Sequence, residues 1–154
     1  MATGRVPCSS DLNLVSVGVE LNKGFVPVDD KRRVLVDANP LTHLWAVGDL
    51  TGKLMLAHTA AAQGTVAVDN IIGIDRQIDY RSIPAATFTH PEISSVGFTE
   101  IDAKKFASEE GCEIGIVRSY FKANSKALAE LESDGLLKLI FRKDSGEVLG
   151  AHIY

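Results

Sequence analysis

The feature that most constrains the fold is an apolar run followed by a glycine-bracketed loop and then by a long stretch without proline. The run is His43–Val47, the loop is Gly48–Gly52, and the stretch from Leu54 to Ile72 is rich in small and apolar residues, with Gly73 after it. A short apolar run between turn residues is typical of a buried strand. An alanine-rich stretch ended by glycine is typical of a helix. The pattern predicts a strand–loop–helix unit and therefore an α/β arrangement.

An acidic residue, Asp49, lies in the predicted loop. At the carboxyl end of a parallel strand, it would point into the crevice where α/β folds bind ligands. A carboxylate there accepts hydrogen bonds from sugar or polyol hydroxyls, and Gly48 allows close approach. A helix that starts near Leu56 would direct its N–H groups and positive end into the same crevice. The alternative is an ordinary loop with a solvated or capping aspartate, and the residues alone leave both interpretations open.

The rest of the chain predicts two parts with a boundary near residues 77–82. In the first part, Gly24–Val28 and Arg33–Val36 predict a hairpin, and Asn39–Thr42 predicts a turn. In the second part, Thr99 and Asp102 predict a capped helix that runs to about Ser108. The strands expected there are Ala85–Thr89, Ile93–Phe98, Ile114–Phe121, Leu136–Arg142 and Glu147–Tyr154. This part is therefore expected to be an α+β module with a mainly antiparallel sheet.

Composition excludes several classes of function. The 154 residues carry a net charge of −4, which gives no electrostatic footprint for nucleic acid or an anionic membrane. No targeting or membrane-spanning segment is visible, so we expect a cytoplasmic protein. The cysteines Cys8 and Cys112 show neither metal-ligand spacing nor a disulfide framework, and His43 and His152 have no ligand partners at metal spacing. No metal site is expected.

Four segments in this order resemble the flavin-dependent pyridine nucleotide–disulfide oxidoreductases, in particular their dihydrolipoyl dehydrogenase branch. They are Ala2–Pro7, Ala46–Asp49, Met55–Ala60 and Ile83–Gly97. From Ser119 onward the chain is most similar to the cyanobacterial and plastid members. The resemblance covers essentially the whole chain.

The resemblance implies binding sites for FAD and NAD. Asp49 matches the aspartate that holds the FAD ribityl chain, and Gly4 matches a glycine that lines the nicotinamide-nucleotide site. Four consecutive residues match the segment whose backbone approaches the pyrimidine side of the flavin ring: Met55, Leu56, Ala57 and His58. The dipole of the helix that follows would stabilise negative charge on the reduced flavin.

Other parts of the family's machinery do not occur in this sequence. The CxxxxC redox motif and the glycine-rich fingerprints for the two pyrophosphates are missing, and so is the acid–base pair built on His-Pro-Thr and a glutamate. His90–Pro91 is not that pair, because Glu92 stands where the family has threonine and Ser95 where it has glutamate. We therefore expect no catalytic residue in this chain, and we expect His90, Cys8 and Cys112 to be structural.

The resemblance also implies the domain organisation. Residues 1–10 match the end of the NAD-binding domain, 11–80 the C-terminal part of the FAD-binding domain, and 81–154 a truncated interface (dimerisation) domain. The fold class expected is thus an α/β FAD-binding segment followed by a truncated α+β domain. Because Tyr154 stands in an apolar run and Ala2–Gly4 is typical of a strand end, we expect the chain to be a fragment.

The function implied is that of a flavoprotein oxidoreductase. The intact parent would oxidise protein-bound dihydrolipoyl groups with NAD, through FAD and a redox disulfide, while the fragment alone would be inactive. Its partners would be a second copy of itself and the lipoyl-bearing subunits of 2-oxoacid dehydrogenase or glycine cleavage complexes, and the plastid stroma is the alternative location. The alternatives are another disulfide or mercuric reductase and a non-catalytic dimerisation or interaction module.

Overall fold

The computed structural model describes residues 3–154, and the chain divides between Tyr80 and Arg81 into two compact units. Ala2, the first residue of the expected strand end, lies outside the described residues. Thr3 and Gly4 adopt irregular backbone rather than a strand, so that expectation is wrong for them. The described helices include none that is long and apolar enough to cross a bilayer.

The first unit contains one two-stranded antiparallel sheet and one long helix. Strand β1 (Arg33–Val36) pairs with strand β2 (Asn39–Trp45), and helix α1 covers Ala57–Ile71. The turn between the strands consists of Asp37 and Ala38, which have φ angles of 48° and 64°. Two central residues with positive φ make a type I′ turn, whose twist matches that of the flanking strands.

The core of the first unit is a valine cluster on and beside these strands. Strand β1 contributes Val34, the residue directly after β2 contributes Ala46, and the chain before β1 contributes the remaining buried members. Partly buried leucines and one further valine pack around it. The buried members are Val19, Val26, Val28, Val34 and Ala46, and the surrounding ones are Leu14, Leu21, Val36, Leu41, Leu44 and Leu50. This cluster supports the end of β2, from which the candidate loop begins.

Three further expectations for the first unit are wrong. β1 forms its ladder with β2, and residues 24–28 pair with β1 only through the isolated bridge Val28↔Val34. The segment Asn39–Thr42, expected as a turn, is the first half of β2. β2 is also antiparallel to its described partner, so the argument that placed Asp49 at the end of a parallel strand does not hold among the described residues. The strand–loop–helix order is confirmed.

The second unit is built on a five-stranded antiparallel sheet with the order β3-β4-β7-β6-β5. The strands are β3 (Ala85–Thr87), β4 (Ile93–Gly97), β5 (Ile114–Tyr120), β6 (Leu136–Arg142) and β7 (Val148–Ile153). All five expected strands are present within two residues of their predicted ends. The antiparallel α+β expectation for this unit is confirmed.

Two helices accompany this sheet. Helix α2 covers Glu100–Glu110, and the Thr99 side chain caps it by accepting a hydrogen bond from the Asp102 N–H, as the sequence predicts. Helix α3 (Ser125–Ala129) was not expected; its cap is Asn124, whose Oδ1 accepts hydrogen bonds from the N–H groups of Lys126 and Ala127. One turn of helix is too short to give a periodic pattern in the sequence.

Candidate functional site

The loop between β2 and α1 begins with a tight 3₁₀ turn, Gly48–Thr51. The Thr51 hydroxyl donates to the Gly48 carbonyl over 2.9 Å, and the Gly52 N–H donates to the Asp49 carbonyl over 3.0 Å. Gly52 has a φ of 68°, and a Cβ there would lie 2.9 Å from the Phe25 ring, so both conformation and space require glycine. These bonds use the backbone of Asp49 and leave its side chain exposed.

The Asp49 carboxylate makes no hydrogen bond or ion pair within the described part of the chain. A carboxylate in this position retains its full capacity to accept hydrogen bonds from a ligand. The hydroxyls of a sugar or polyol are suitable donors for such a group. The geometry of the loop therefore excludes a capping role of Asp49 at α1, and it agrees both with a ligand-binding carboxylate and with a solvated one.

The start of α1 is the second part of the site. Leu56 precedes the helix with extended backbone and provides no side-chain cap, and the first turn contains no acidic residue. The first intrahelical bond runs from the Ala60 N–H to the Leu56 carbonyl over 3.0 Å, so the N–H groups of Ala57 and Thr59 have no acceptor within the helix. Such a helix end carries partial positive charge and available donors.

A buried polar atom also lies in this first turn. Thr59 is 1% exposed, and its hydroxyl has no hydrogen-bond partner among the described residues. This hydroxyl is enclosed by protein, so a ligand at the start of α1 would meet exposed residues such as Ala57 and not the Thr59 side chain. A flavin nucleotide presents carbonyl oxygens on its ring and hydroxyls on its ribityl chain. The residues present fit such a group.

The structure places five of the six expected site residues on one segment of the first unit. Asp49 lies in the 3₁₀ turn, Met55 and Leu56 form the end of the loop, and Ala57 and His58 begin α1. Met55, Ala57 and His58 are exposed and Leu56 is half-buried. These five residues thus lie on the 3₁₀ turn, the loop and the start of α1, and their joint role in a site stays a prediction.

The sixth expected residue, Gly4, is separate from this segment. It is exposed in irregular backbone with a φ of 73°, and a Cβ added there would meet no described atom within 4 Å. The positive φ explains why glycine occupies the position. The role of Gly4 at a nicotinamide-nucleotide site stays a prediction.

The other candidates for chemistry are dispersed. Among residues 3–154 there is no group of three or more potential metal-binding side chains. Cys8 is exposed in the first unit and Cys112 half-buried in the second, and both are free thiols. His90 is exposed between β3 and β4.

Sequence reasoning missed three residues that adjoin the site. Gln63 is fully buried in α1, and its Oε1 accepts the Gly48 N–H over 2.6 Å. Its Nε2 donates to the Tyr80 hydroxyl over 3.0 Å, and Arg32 Nη1 donates to the same hydroxyl over 2.8 Å. One local signal was available, because Thr59 and Gln63 are one helical turn apart on the face that also buries Val66.

Comparison with known protein families gives a match in the second unit. The model of the pyridine nucleotide-disulphide oxidoreductase dimerisation domain matches residues 83–154. The dihydrolipoyl dehydrogenase of Synechocystis sp. is 56% identical over 154 residues, which cover 99% of this chain and 32% of the relative. Residues 83–154 therefore match the dimerisation domain of this family, and the whole chain is similar to about a third of a dihydrolipoyl dehydrogenase.

Other known proteins show the same partial similarity. The chloroplastic dihydrolipoyl dehydrogenase 2 of Arabidopsis thaliana is 50% identical over 156 residues, covering 100% of this chain and 27% of the relative. The crystal structure of LpdA from Mycobacterium tuberculosis matches with a TM-score of 0.80 and 30% identity. The match covers 99% of this chain and 32% of the LpdA chain. The flavoprotein disulfide reductase RclA of Escherichia coli matches with a TM-score of 0.76 and 29% identity, over 99% of this chain and 34% of its own.

The chain spans about a third of the length of the curated relatives it matches. The expected resemblance is confirmed, and FAD and NAD are cofactors of the dihydrolipoyl dehydrogenase family. In that family the domain matched by residues 83–154 serves dimerisation. The individual contacts of Asp49, Gly4 and residues 55–58 with these cofactors stay predictions.

Proposed function

We propose that this chain is the flavin-contacting and dimerising segment of a dihydrolipoyl dehydrogenase. The whole enzyme would oxidise dihydrolipoyl groups carried on a partner protein and reduce NAD. The observation that carries the proposal is the 56% identity to the Synechocystis dihydrolipoyl dehydrogenase over 99% of this chain. A chemical observation supports it as well: the start of α1 has no side-chain cap and follows the loop that carries the exposed Asp49.

In this proposal Asp49 and the start of α1 bind two different parts of FAD. The Asp49 carboxylate accepts hydrogen bonds from the ribityl hydroxyls, since the rest of the loop leaves that group exposed. The backbone of Met55, Leu56, Ala57 and His58 faces the pyrimidine side of the ring. The positive end of α1 stabilises negative charge there. FAD, when bound, accepts electrons from the redox disulfide and passes them to NAD.

The remaining assignments concern the domains and partners. Gly4 and the residues before about 10 would lie at the NAD-binding part, and residues 11–80 would complete the FAD-binding part. Residues 81–154 would pair with the same domain of a second copy. The lipoyl-bearing subunits of 2-oxoacid dehydrogenase or glycine cleavage complexes would be the electron donors, in the cytoplasm or, for a plastid member, in the stroma.

A segment exchange tests the proposal. The matching 154 residues of the Synechocystis relative are replaced with this chain, and the purified chimera is assayed for bound FAD and for oxidation of dihydrolipoamide by NAD. We expect a dimeric flavoprotein with activity within about tenfold of the relative. This range corresponds to a change of at most about 1.4 kcal/mol in the activation free energy. A folded dimeric chimera that binds no FAD, or that binds it without this activity, would contradict the proposal.

Two substitutions in the chimera separate the site from the scaffold. Asp49→Ala removes a charged acceptor worth about 1.5–3 kcal/mol, so FAD retention should fall about ten- to a hundredfold. Asp11→Ala, which removes an exposed carboxylate from a 3₁₀ turn of the same unit, is the matched control and should retain FAD. Equal FAD content in both variants would show that Asp49 does not contribute to FAD binding.

The rival in the same family is a different disulfide reductase. The similarity to Escherichia coli RclA shows that the same fold occurs in a flavoprotein disulfide reductase of another kind. The chimera distinguishes the two, because turnover with another disulfide substrate in preference to dihydrolipoamide would favour the rival.

A further inference from the structure

A buried polar network adjoins the loop that carries Asp49. Gln63 of α1 and Arg32, directly before β1, are both fully buried. The Tyr80 hydroxyl accepts a hydrogen bond from each, over 2.8 Å from Arg32 Nη1 and 3.0 Å from Gln63 Nε2. Arg32 Nη2 donates in addition to the Asp29 carbonyl. Tyr80 thus connects a fixed cation to a fixed amide within the first unit.

The orientation of the Gln63 amide follows from its partners. A backbone N–H only donates, so the Gly48 N–H, 2.6 Å away, must face Oε1. Nε2 then donates to the Tyr80 hydroxyl and to the Lys53 carbonyl over 3.3 Å. One side-chain amide therefore contacts both ends of the loop 48–53, with Asp49 between them.

The position of the Asp49 carboxylate depends on this contact. The side chain is exposed, so only the backbone of the turn determines where the carboxylate lies. That backbone is held internally by the Thr51 hydroxyl. It is held externally by Gln63 and by the Val26 N–H, which donates to the Leu50 carbonyl over 3.0 Å. Removing the Gln63 bonds would release Gly48 and Lys53, the two ends of the loop, while the bond from Val26 to Leu50 stays.

Burial of an amide in an alanine-rich helix is unfavourable unless its hydrogen bonds are made. At position 63 all of these bonds go to the loop or to Tyr80, and none goes to the helix that carries it. An apolar side chain would satisfy packing alone. The amide is therefore explained by the loop it holds.

We propose that Gln63 is a positioning residue for the flavin site, which fixes the loop 48–53 so that Asp49 meets the cofactor. This inference rests on the proposed function, because it assumes that Asp49 binds FAD. It adds a residue that contacts the loop and not the cofactor, with Tyr80 and Arg32 as its support.

The test uses three variants of the full chain. Gln63→Leu removes every bond to the loop, whereas Gln63→Glu retains an acceptor for the Gly48 N–H and removes the donor to Lys53. Gln77→Leu is the matched control, because Gln77 is an exposed residue of the same type in the same unit. The first readout is the hydrogen-exchange rate of the Gly48 amide measured by NMR.

We expect Gln63→Leu to accelerate exchange at Gly48 by about tenfold or more, because one buried hydrogen bond is lost. Gln63→Glu should stay within about threefold of the unmodified chain, as should Gln77→Leu. An unchanged Gly48 rate in Gln63→Leu would overturn the inference. If Gln63→Leu does not fold, Tyr80→Phe carries the test; it removes only the supporting hydroxyl and should accelerate exchange severalfold, and an unchanged rate would overturn the inference.

The second readout is FAD affinity, taken from amide shifts of Asp49 and Ala57 as the chain is titrated with FAD to millimolar concentration. Gln63→Leu should weaken FAD binding about tenfold, and Gln63→Glu should restore most of the loss. An Asp49→Ala variant is titrated beside them. Weaker binding in Asp49→Ala with unchanged binding in Gln63→Leu overturns the inference alone, while unchanged binding in Asp49→Ala overturns the proposed function and the inference with it.

Discussion

Gly97 and Gly150 pair across β4 and β7, and the backbones approach so closely there that neither residue has room for a methyl group. A Cβ on Gly97 would collide with the Leu149 carbonyl oxygen, and one on Gly150 with the carbonyl oxygen of Phe98. Gly97 also has a φ of 78°, which side chains rarely adopt. The pair joins the β3–β4 half of the sheet to the β6–β5 half.

We expect Gly97→Ala to destabilise the second unit by about 3 kcal/mol or more, because backbone must move to relieve the collision. Gly146→Ala is the matched control: Gly146 has a φ of 75°, but a Cβ there meets no described atom within 4 Å. The control should cost only about 1–2 kcal/mol for the backbone conformation. Urea unfolding followed by far-ultraviolet circular dichroism measures both, and equal losses would show that the close approach is not limiting.

In the first unit, Ala38→Gly should be stabilising. Ala38 has a φ of 64° in the type I′ turn, a conformation that costs a non-glycine residue about 1–2 kcal/mol. Glycine avoids this cost but loses more conformational entropy on folding, so the net gain is smaller. The chain has one tryptophan, Trp45 at the end of β2, so its fluorescence reports on this unit during urea unfolding. The expected gain is about 0.5–1 kcal/mol.

The same exchange at an ordinary helical position should have the opposite sign. Ala61 is exposed within α1, and Ala61→Gly there should cost about 0.5–1 kcal/mol. Losses at both positions would contradict the assignment of the turn conformation at Ala38.

Asp144 is expected to make part of the chain's stability depend on acid pH. Arg142 binds its carboxylate at two points, over 2.8 Å and 3.0 Å, and lowers the pKa of Asp144 from 3.8 to about 2. Because the pKa is lower in the folded state, the contribution to stability is complete above about pH 4 and is lost as the pH falls towards 2. Asp144→Asn should therefore be less stable than the unmodified chain at neutral pH and equal to it near pH 2.

Two measurements check this behaviour. Carboxyl NMR titration gives the Asp144 pKa directly, and urea midpoints across the acid range give the stability difference. Arg142→Lys should raise the Asp144 pKa towards its ordinary value, since an ammonium cannot bind both oxygens in the same planar geometry. A stability difference between Asp144→Asn and the unmodified chain that stays constant across the range would contradict the expectation.

Thr99→Ala should destabilise α2 by about 1 kcal/mol, because the N-cap hydroxyl accepts the Asp102 N–H. Thr99→Ser retains the hydroxyl and should stay within a few tenths of a kcal/mol, on the order of the difference among good caps. Circular dichroism during urea unfolding measures both variants. Similar losses of stability in Thr99→Ala and Thr99→Ser would show that the Thr99 methyl group, and not the hydroxyl, causes the effect.

The elements with strong local patterns could be predicted from the sequence. Strand β6 has the predicted bounds, and α1 starts three residues after the predicted start and ends within one residue of the predicted end. Thr99 as a cap was predicted for the physical reason that the structure shows. Each of these elements is determined by residues that lie close together in the sequence, and this is the range over which periodicity and capping act.

The strand pairing in the first unit could not be predicted in this way. The β1–β2 turn lacks the Asn-Gly or Asp-Gly pair that usually marks a type I′ turn, because Ala38 takes the second position. Pro27 accepts a bond from the Leu35 N–H over 2.9 Å but has no N–H to return, so residues 24–28 form a bridge with β1 only at Val28.

The candidate site was also only partly predictable. Asp49 and the start of α1 follow from the glycine-bracketed loop and the helix after it. The Gln63 contacts join residues 15 and 17 positions apart, and Tyr80 lies 48 positions from Arg32. Local sequence patterns do not indicate which distant residues are paired. The hydrogen-bond network that holds the loop could therefore be identified only from the structure.

The strand order β3-β4-β7-β6-β5 has a consequence for synthesis of the chain on the ribosome. β7 is the last of the five strands to be translated, yet it lies between the β3–β4 pair and the β5–β6 pair. At about 5–20 residues per second, the nascent chain spends roughly 3–10 s with β4 complete and its central partner not yet made. During that interval the edge of β4 is open to strands from neighbouring nascent chains, and the facing edge of β6 is open as well once β6 has been made. A ribosome-bound chain of this kind depends on rapid completion, or on a chaperone, to keep its sheet intramolecular.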